Sequence, residues 1–469
     1  MTTHTCDVAV IGAGTTGLSA VQAARDAGGK VLLIDPDFVG TMCANYGCMP
    51  SKLLLASANA AHAARGLGTF GIRTGSVEVD GPAVFQRVRK LRDDFAASAR
   101  ETFDKLPTGT CIEARARFTG PTTLSLDTGD TVEAGAVVIA TGSSPMIPPP
   151  LQGLGELALT NRTVFDLEDL PRRLAVLGGG AIGLELAQGF ARLGVEVTLL
   201  DKANTLGGAR DPDVQKAVHE AMAEEMTLRL GVSVEGERRG DEVHLSWDGE
   251  SSGTGSFDRV LVATGRPPNL DGLGLDATGI ACDDKGVPEF NPRTLQCGDA
   301  PIFIAGDANA DRPVLHEASE EGALAGRNAV AFPAVTAVKR VPPFTVTFTD
   351  PPLVQIGEGP SEDGSSGTSR FEDQGRAKIE NRNRGVVRLF GTLGDGRLVG
   401  AELFAPGAEH MSHFLLLAIM NGMTASSVAE VPFYHPTLEE GLSAALSQIC
   451  SNTPMTTPGR WQNTPPPGA

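Results

Sequence analysis

Two stretches of the chain carry the same order of apolar and polar positions. Residues 8–35 read VAVIGAGTTGLSAVQAARDAGGKVLLID, residues 174–201 read LAVLGGGAIGLELAQGFARLGVEVTLLD, and the two align without a gap. In each copy a short apolar run predicts a buried strand and a Gly-x-Gly-x-x-Gly turn follows it. The next stretch predicts a helix, and a second apolar run predicts a strand that ends on an acid. The glycines are Gly12, Gly14 and Gly17 in the first copy and Gly178, Gly180 and Gly183 in the second; the acids are Asp35 and Asp201. One such fingerprint is a weak signal, whereas two complete βαβ units with equal spacing predict two dinucleotide sites.

The chemistry of those sites follows from the residue types. Glycines let the backbone approach a pyrophosphate, the helix N-terminus offers free N–H groups, and the strand-end acid receives the adenosine ribose hydroxyls. Both sites should therefore hold adenine dinucleotides. An acid at Asp201 disfavours a 2′-phosphate and points to NAD, although the neighbouring Lys202 could pair with such a phosphate and keeps NADP possible.

A second pair of echoes follows. Residues 137–142 read VVIATG and residues 260–265 read VLVATG, each a buried strand that closes in a small-residue turn at Gly142 or Gly265. These turns mark crossings between domains. A further apolar run, PIFIAGD at 301–307, predicts a buried strand whose terminal Asp307 sits at the carboxyl edge of a parallel sheet, where ligands bind; an N-cap role is the plainer alternative.

With 469 residues the chain is long enough for three domains, and its 57 glycines suit many tight turns. A net charge of −18, from 39 basic against 57 acidic side chains, argues against nucleic-acid and anionic-membrane partners. The N-terminus shows no signal pattern and no apolar run reaches the length of a membrane span, so a cytoplasmic location is expected.

Cys43 and Cys48 stand in the run GTMCANYGCMPSK, just after the first fingerprint. Zinc wants close pairs of ligands, and the other cysteines (Cys6, Cys111, Cys282, Cys297, Cys450) are scattered singly, so no metal is expected. A structural disulfide suits small secreted chains, which leaves a dithiol that cycles between oxidised and reduced forms as the better reading. Near the C-terminus His435 precedes Pro436 at a predicted helix start. Glu440, one turn on, is placed to hydrogen-bond back to the imidazole.

The cysteine run, both fingerprints, both ATG turns, GRPPN at 265–269, IFIAGDA, HEASEEG at 316–322 and FYHPTLEEG at 433–441 occur in an order that resembles the flavin-dependent pyridine nucleotide-disulfide oxidoreductases, over about residues 6–450. The resemblance implies an α/β fold of two Rossmann-like dinucleotide-binding domains plus an α+β C-terminal dimerisation domain. It implies FAD on the first fingerprint, NAD(P)H on the second, and a redox disulfide between Cys43 and Cys48 beside the flavin. Cys43 then resembles the interchange thiol and Cys48 the thiol in contact with the flavin. Asp307 resembles the residue that holds the flavin ribityl chain, and Lys52 with Glu185 resembles the ion pair beside the ring. His435 and Glu440 resemble an acid/base pair that serves the other subunit, which makes the expected assembly a homodimer with shared active sites.

The implied layout is an FAD domain at 1–146 and 277–341, an NAD(P) domain at 147–276, an interface domain at 342–450 and a flexible tail at 451–469. The segment 360–369 reads as an exposed turn. Among members the pattern is most similar to a dihydrolipoamide-dehydrogenase-like branch, taking a small dithiol or disulfide or a lipoyl group carried on a partner protein. A reductase of another low-molecular-weight disulfide, similar to glutathione reductase, is the alternative. A mercuric-reductase-like activity ranks lower because Cys450 stands alone, and a non-catalytic structural role ranks last. Tyr46 and Tyr434, the two tyrosines of the chain, both fall in these motifs.

Overall fold

The computed structural model describes residues 1–453. The first repeat builds the centre of a seven-stranded sheet. Strand Thr3–Ile11 pairs in parallel with Val31–Asp35 on one side and Thr131–Ile139 on the other, and Ile302–Ile304 returns much later to pair in parallel with Thr131–Ile139. Between those visits the chain builds a second, five-stranded sheet that is parallel throughout, in the order Thr227–Arg229, Glu196–Leu200, Arg173–Leu177, Arg259–Val262, Ala158–Leu159. Parallel strands buried on both faces read as continuous apolar runs. The segments 8–11, 137–139, 174–177 and 260–262 are apolar at every position and buried at every position.

The two fingerprint helices, Thr15–Asp26 and Ala181–Arg192, begin at equivalent glycines. Gly12 and Gly178 adopt φ of +104° and +102°, a region open to glycine, and a Cβ on Gly17 or Gly183 would lie 1.8 Å from the carbonyl oxygen of Gly12 or Gly178. The first fingerprint helix is crossed closely by helix Leu315–Ala331. A Cβ on Gly322 or Gly326 would meet the carbonyl oxygens of Thr16 and Ala20 at 2.2 Å, so backbone packs on backbone there.

A three-stranded antiparallel sheet, Val232–Arg239, Glu242–Gly249 and Gly253–Phe257, flanks the second nucleotide sheet. The C-terminal region is a five-stranded antiparallel sheet in the order Phe344–Thr347, Leu353–Gly357, Leu398–Phe404, Val386–Thr392, Gly364–Arg370, with helices Ala408–Met420 and Ser443–Asn452. Among the described residues no helix is long and apolar enough to cross a membrane.

Three expectations are corrected. Residues 364–369 of the expected exposed turn belong to an edge strand, Gly364–Arg370, paired to Val386–Thr392. Its small Ser and Gly side chains let the last helix lie directly on it, with a Gly367 Cβ position only 1.9 Å from the Ala445 carbonyl oxygen. Residues 451–452, expected in the tail, complete helix Ser443–Asn452, where Thr453 Oγ1 donates to the Ile449 carbonyl at 2.7 Å and closes the last turn. The rest of the expected tail, 454–469, lies outside the described residues. Finally, helix does not begin at Pro436: residues after it form a short 3-10 turn, Glu439–Leu442, before the α-helix starts.

Candidate functional site

Cys43 and Cys48 sit on consecutive helical segments. Thr41 caps the single turn Met42–Tyr46 by accepting the Ala44 amide at 3.2 Å, and Cys48 opens helix Cys48–Gly66. Gly47 joins the two where space is short, since a Cβ there would lie 3.2 Å from Cys43 Cα. The sulfurs are not bridged, and the two thiols share a hydrogen bond. That bond lowers the Cys48 pKa to about 6 against the pull of desolvation, with the Lys52 ammonium adding to it. Position at a helix N-terminus acts in the same direction. The same bond, with burial, pushes the Cys43 thiol strongly up. The two thiols are therefore unequal, with Cys48 the more acidic of the pair.

Lys52, one turn along the cysteine helix, places Nζ 2.7 Å from Glu185 Oε2 on the second fingerprint helix, and 4.4 Å above the Phe348 ring. Glu185 is buried, not a solvent-facing helix residue, and its other oxygen accepts the Phe348 amide at 2.9 Å. A cleft of about 670 Å³ runs past these groups, bordered by Gly14, Cys43, Cys48, Glu185, Asp307 and His316.

The fingerprint turns keep room for a nucleotide. Nothing lies within 4 Å of a Cβ position at Gly14, Gly180, Gly142 or Gly265, whereas Gly12 and Gly178 are hemmed in by main chain. Asp35 accepts the Ala13 amide at 2.7 Å, and Asp201 accepts the matching Gly179 amide and, at 2.8 Å, that of Ala203. Both strand-end acids thus tie down the turn they face. Lys202 is exposed beside Asp201.

Asp307 lies in the turn Gly306–Asn309 and accepts from Ser143 Oγ and Arg266 Nη2, each at 2.6 Å. Two buried polar atoms near these groups, Thr141 Oγ1 and His316 Nε2, have no hydrogen-bond partner within the protein. Buried polar groups are normally satisfied. Unpaired atoms together with open glycine cradles are what a bound polar cofactor would complete, so the residues fit FAD at the first turn and NAD(P) at the second.

His435 stands apart from this assembly. Its Nδ1 lies 2.9 Å from Glu440 Oε1, and Glu440 is steadied by the Thr437 amide at 3.0 Å, which with His435 holds its carboxyl below the ordinary range. The His435 side chain is 80% exposed and does not border its own chain's cleft. Phe348 and Arg266 also belong to the site. Arg266 was within reach of the sequence through GRPPN, while nothing local to Phe348 signals its place beside Lys52.

Comparison with known proteins agrees with this geometry. Residues 6–323 match the pyridine nucleotide-disulphide oxidoreductase family, and residues 344–446 match the dimerisation domain of the same family, which supports a homodimer. A dihydrolipoyl dehydrogenase of Chlamydia muridarum is 30% identical over 96% of this chain and 98% of its own length. A mercuric reductase of Shigella flexneri is 33% identical over 93% of this chain and 80% of its own. The crystal structure of LpdA from Mycobacterium tuberculosis superposes with a TM-score of 0.81 at 25% identity, covering 96% of this chain and all (100%) of that one. The chain belongs to the pyridine nucleotide-disulphide oxidoreductase family and is a flavin-dependent oxidoreductase that works with FAD and NAD(P).

Proposed function

We propose that this enzyme is dihydrolipoyl-dehydrogenase-like, exchanging electrons between a small dithiol and NAD through the Cys43–Cys48 couple. The observation that carries the reading is the placement of both cysteines on one cleft with the Lys52–Glu185 ion pair, where the hydrogen bond the thiols share lowers the Cys48 pKa and raises that of Cys43. A reduced pair with unequal thiols is what oxidation of a dithiol would leave behind. One substrate thiolate attacks the Cys43 sulfur of the disulfide, forming a mixed disulfide and releasing Cys48 as thiolate. The second substrate thiolate then attacks the substrate sulfur of that mixed disulfide. The oxidised substrate departs and Cys43 is freed. The substrate loses two protons in all, one retained on Cys43 and one taken by His435, whose Nδ1 is held by Glu440 so that Nε2 is the working nitrogen. The chemistry supplied by bound FAD is two-electron transfer between the cysteine couple and the nicotinamide.

In this reading the FAD domain comprises 1–146 and 277–341, the NAD domain 147–276 and the dimerisation domain 342–450. Gly12, Gly14, Gly17, Asp35, Gly142 and Asp307 serve FAD; Gly178, Gly180, Gly183, Asp201 and Gly265 serve NAD. The His435–Glu440 pair of one subunit serves the cleft of the other. Its exposure and its absence from its own cleft support that sharing. The substrate is a free dithiol or a lipoyl group on a partner protein. A couple that must cycle rather than persist suits a reducing cytoplasm. The resemblance to mercuric reductases is set aside because Cys450 stands alone on the last helix with its thiol held up by burial.

The test is turnover of the purified enzyme with dihydrolipoamide and NAD⁺ or NADP⁺, beside NADH- and NADPH-driven reduction of lipoamide, glutathione disulfide and other small disulfides. Turnover with dihydrolipoamide, nearly abolished in Cys43→Ser and in His435→Ala, is expected. Full activity in Cys43→Ser ends the dithiol mechanism, and efficient reduction of another disulfide alone reassigns the substrate.

A further inference from the structure

Behind the turn that carries Asp307 lies a charged cluster that the site described above does not use. Glu321 and Glu317, on helix Leu315–Ala331, are only 4% and 2% exposed. Glu321 Oε2 accepts two bonds from the turn itself, the Gly306 amide at 2.8 Å and Asn309 Nδ2 at 2.7 Å. Its other oxygen accepts Arg340 Nη2 at 2.5 Å. Arg340 also reaches Glu317 Oε2 at 2.7 Å and Asp311 Oδ2 at 2.5 Å, while Arg312 Nη1 reaches Glu317 Oε1 at 2.8 Å and the Val341 carbonyl at 3.0 Å.

Buried ion pairs are poor stabilisers compared with apolar packing, so their presence calls for a role beyond stability. The position of this cluster supplies one. Gly306 adopts φ of +66°, and a Cβ there would lie 2.1 Å from Thr16 Oγ1, which presses the turn against the start of the first fingerprint helix. Glu321 grips donors on both sides of Asp307, one residue before it and two after. Between those grips Asp307 presents its carboxylate to Ser143 and Arg266 at the cleft. Arg340, in turn, lies in the segment 332–343 that leads into strand Phe344–Thr347, which borders the same cleft.

We propose that Glu321, clamped by Arg340, is a positioning residue for Asp307: it fixes the aim of the Asp307 carboxylate at the ribityl hydroxyls of FAD and ties that aim to the connection with the dimerisation domain. The inference rests on the reading that Asp307 takes the ribityl chain.

The experiment is FAD titration of the apoenzyme, followed by quenching of flavin fluorescence, for wild type, Glu321→Gln, Asp307→Ala and the double variant. A lost hydrogen bond to a charged acceptor predicts that Glu321→Gln binds FAD about tenfold more weakly. Because Glu321 acts through Asp307, the double variant should bind no more weakly than Asp307→Ala alone. A purely structural role would instead make the two costs add. Asn309→Ala, which removes one donor from the same oxygen, gives the same reading if Glu321→Gln does not fold. Wild-type affinity in Glu321→Gln, or additive costs, overturns the positioning role. Wild-type affinity in Asp307→Ala overturns the assignment of Asp307 beneath it, and the proposal with it.

Discussion

Lys52 Nζ lies 2.7 Å from Glu185 Oε2, joining the helix that starts at Cys48 to the helix that starts at the second glycine fingerprint. The contact sets a cation one turn from the Cys48 thiol and buries its counter-charge against the Phe348 amide. Replacing Lys52 by Met removes a charge that favours the thiolate and leaves Glu185 without its cation. In Lys52→Met the Cys48 titration should move upward, and turnover should fall by about 10²-fold, in line with loss of an electrostatic group at a reacting centre. An unchanged thiolate titration in that variant would separate Lys52 from the cysteine chemistry.

The cysteine pair makes its own pH prediction. The hydrogen bond shared with Cys43 lowers the Cys48 pKa to about 6, so the thiolate should be present above that pH and lost as pH falls through it. Cys43→Ala removes that bond, and the Cys48 midpoint should rise toward that of an ordinary thiol. Thiolate ultraviolet absorbance of the reduced protein, followed against pH, reads this shift directly.

The proposed sharing of the His435–Glu440 pair between subunits predicts complementation. Cys43→Ser and His435→Ala should each be inactive, with turnover down at least about 10²-fold for loss of a general acid/base. Unfolding and refolding the two together should form mixed dimers that each retain one intact site, recovering about a quarter of wild-type activity. If each active site were built within one chain, the mixture would stay inactive.

Nucleotide choice is testable at Asp201 and Lys202. The Asp201 carboxylate faces the second fingerprint turn and should repel a 2′-phosphate, so kcat/KM should favour NADH over NADPH. Asp201→Asn should narrow the ratio by about tenfold, the scale of one polar contact. Lys202→Ala should lower kcat/KM for NADPH and leave that for NADH unchanged. A drop for NADH alone would mean that Lys202 reads something other than a 2′-phosphate.

The close crossing of helices Thr15–Asp26 and Leu315–Ala331 gives a stability prediction. A methyl group on Gly322 would meet the Thr16 carbonyl oxygen at 2.2 Å. Gly322→Ala should destabilise by about 1–3 kcal/mol, the usual cost of overpacking, and should be seen as a lowered melting temperature.

Much of the fold was legible because its signals are local. The apolar runs at 8–11 and 174–177, the spacing of Gly12, Gly14 and Gly17, and the strand-end Asp35 each report on a few adjacent residues, and the repeat at 174–201 reports the same unit again. The strand at 364–370 is not legible in the sequence for the opposite reason. Its Ser and Gly residues carry little strand propensity, and they form a strand only because Val386–Thr392 and the last helix cover them. Helix likewise starts later than Pro436 predicts, with the 3-10 turn Glu439–Leu442 between them.

The same division runs through the site. Residue types and order alone determined that two nucleotide folds, a pair of cysteines and a late His–Glu pair occur in this chain, because those motifs are short and contiguous. The Lys52–Glu185 pair, 133 residues apart, and a His435 that serves another cleft are expected through the family resemblance and not through any local signal, and only the tertiary structure decided that Lys52 lies over the Phe348 ring and that Glu321 grips the turn of Asp307. Hydrogen bonds and ion pairs between distant segments depend on where separate helices and strands come to rest. That placement is set by packing of the whole core and is not encoded at any one position.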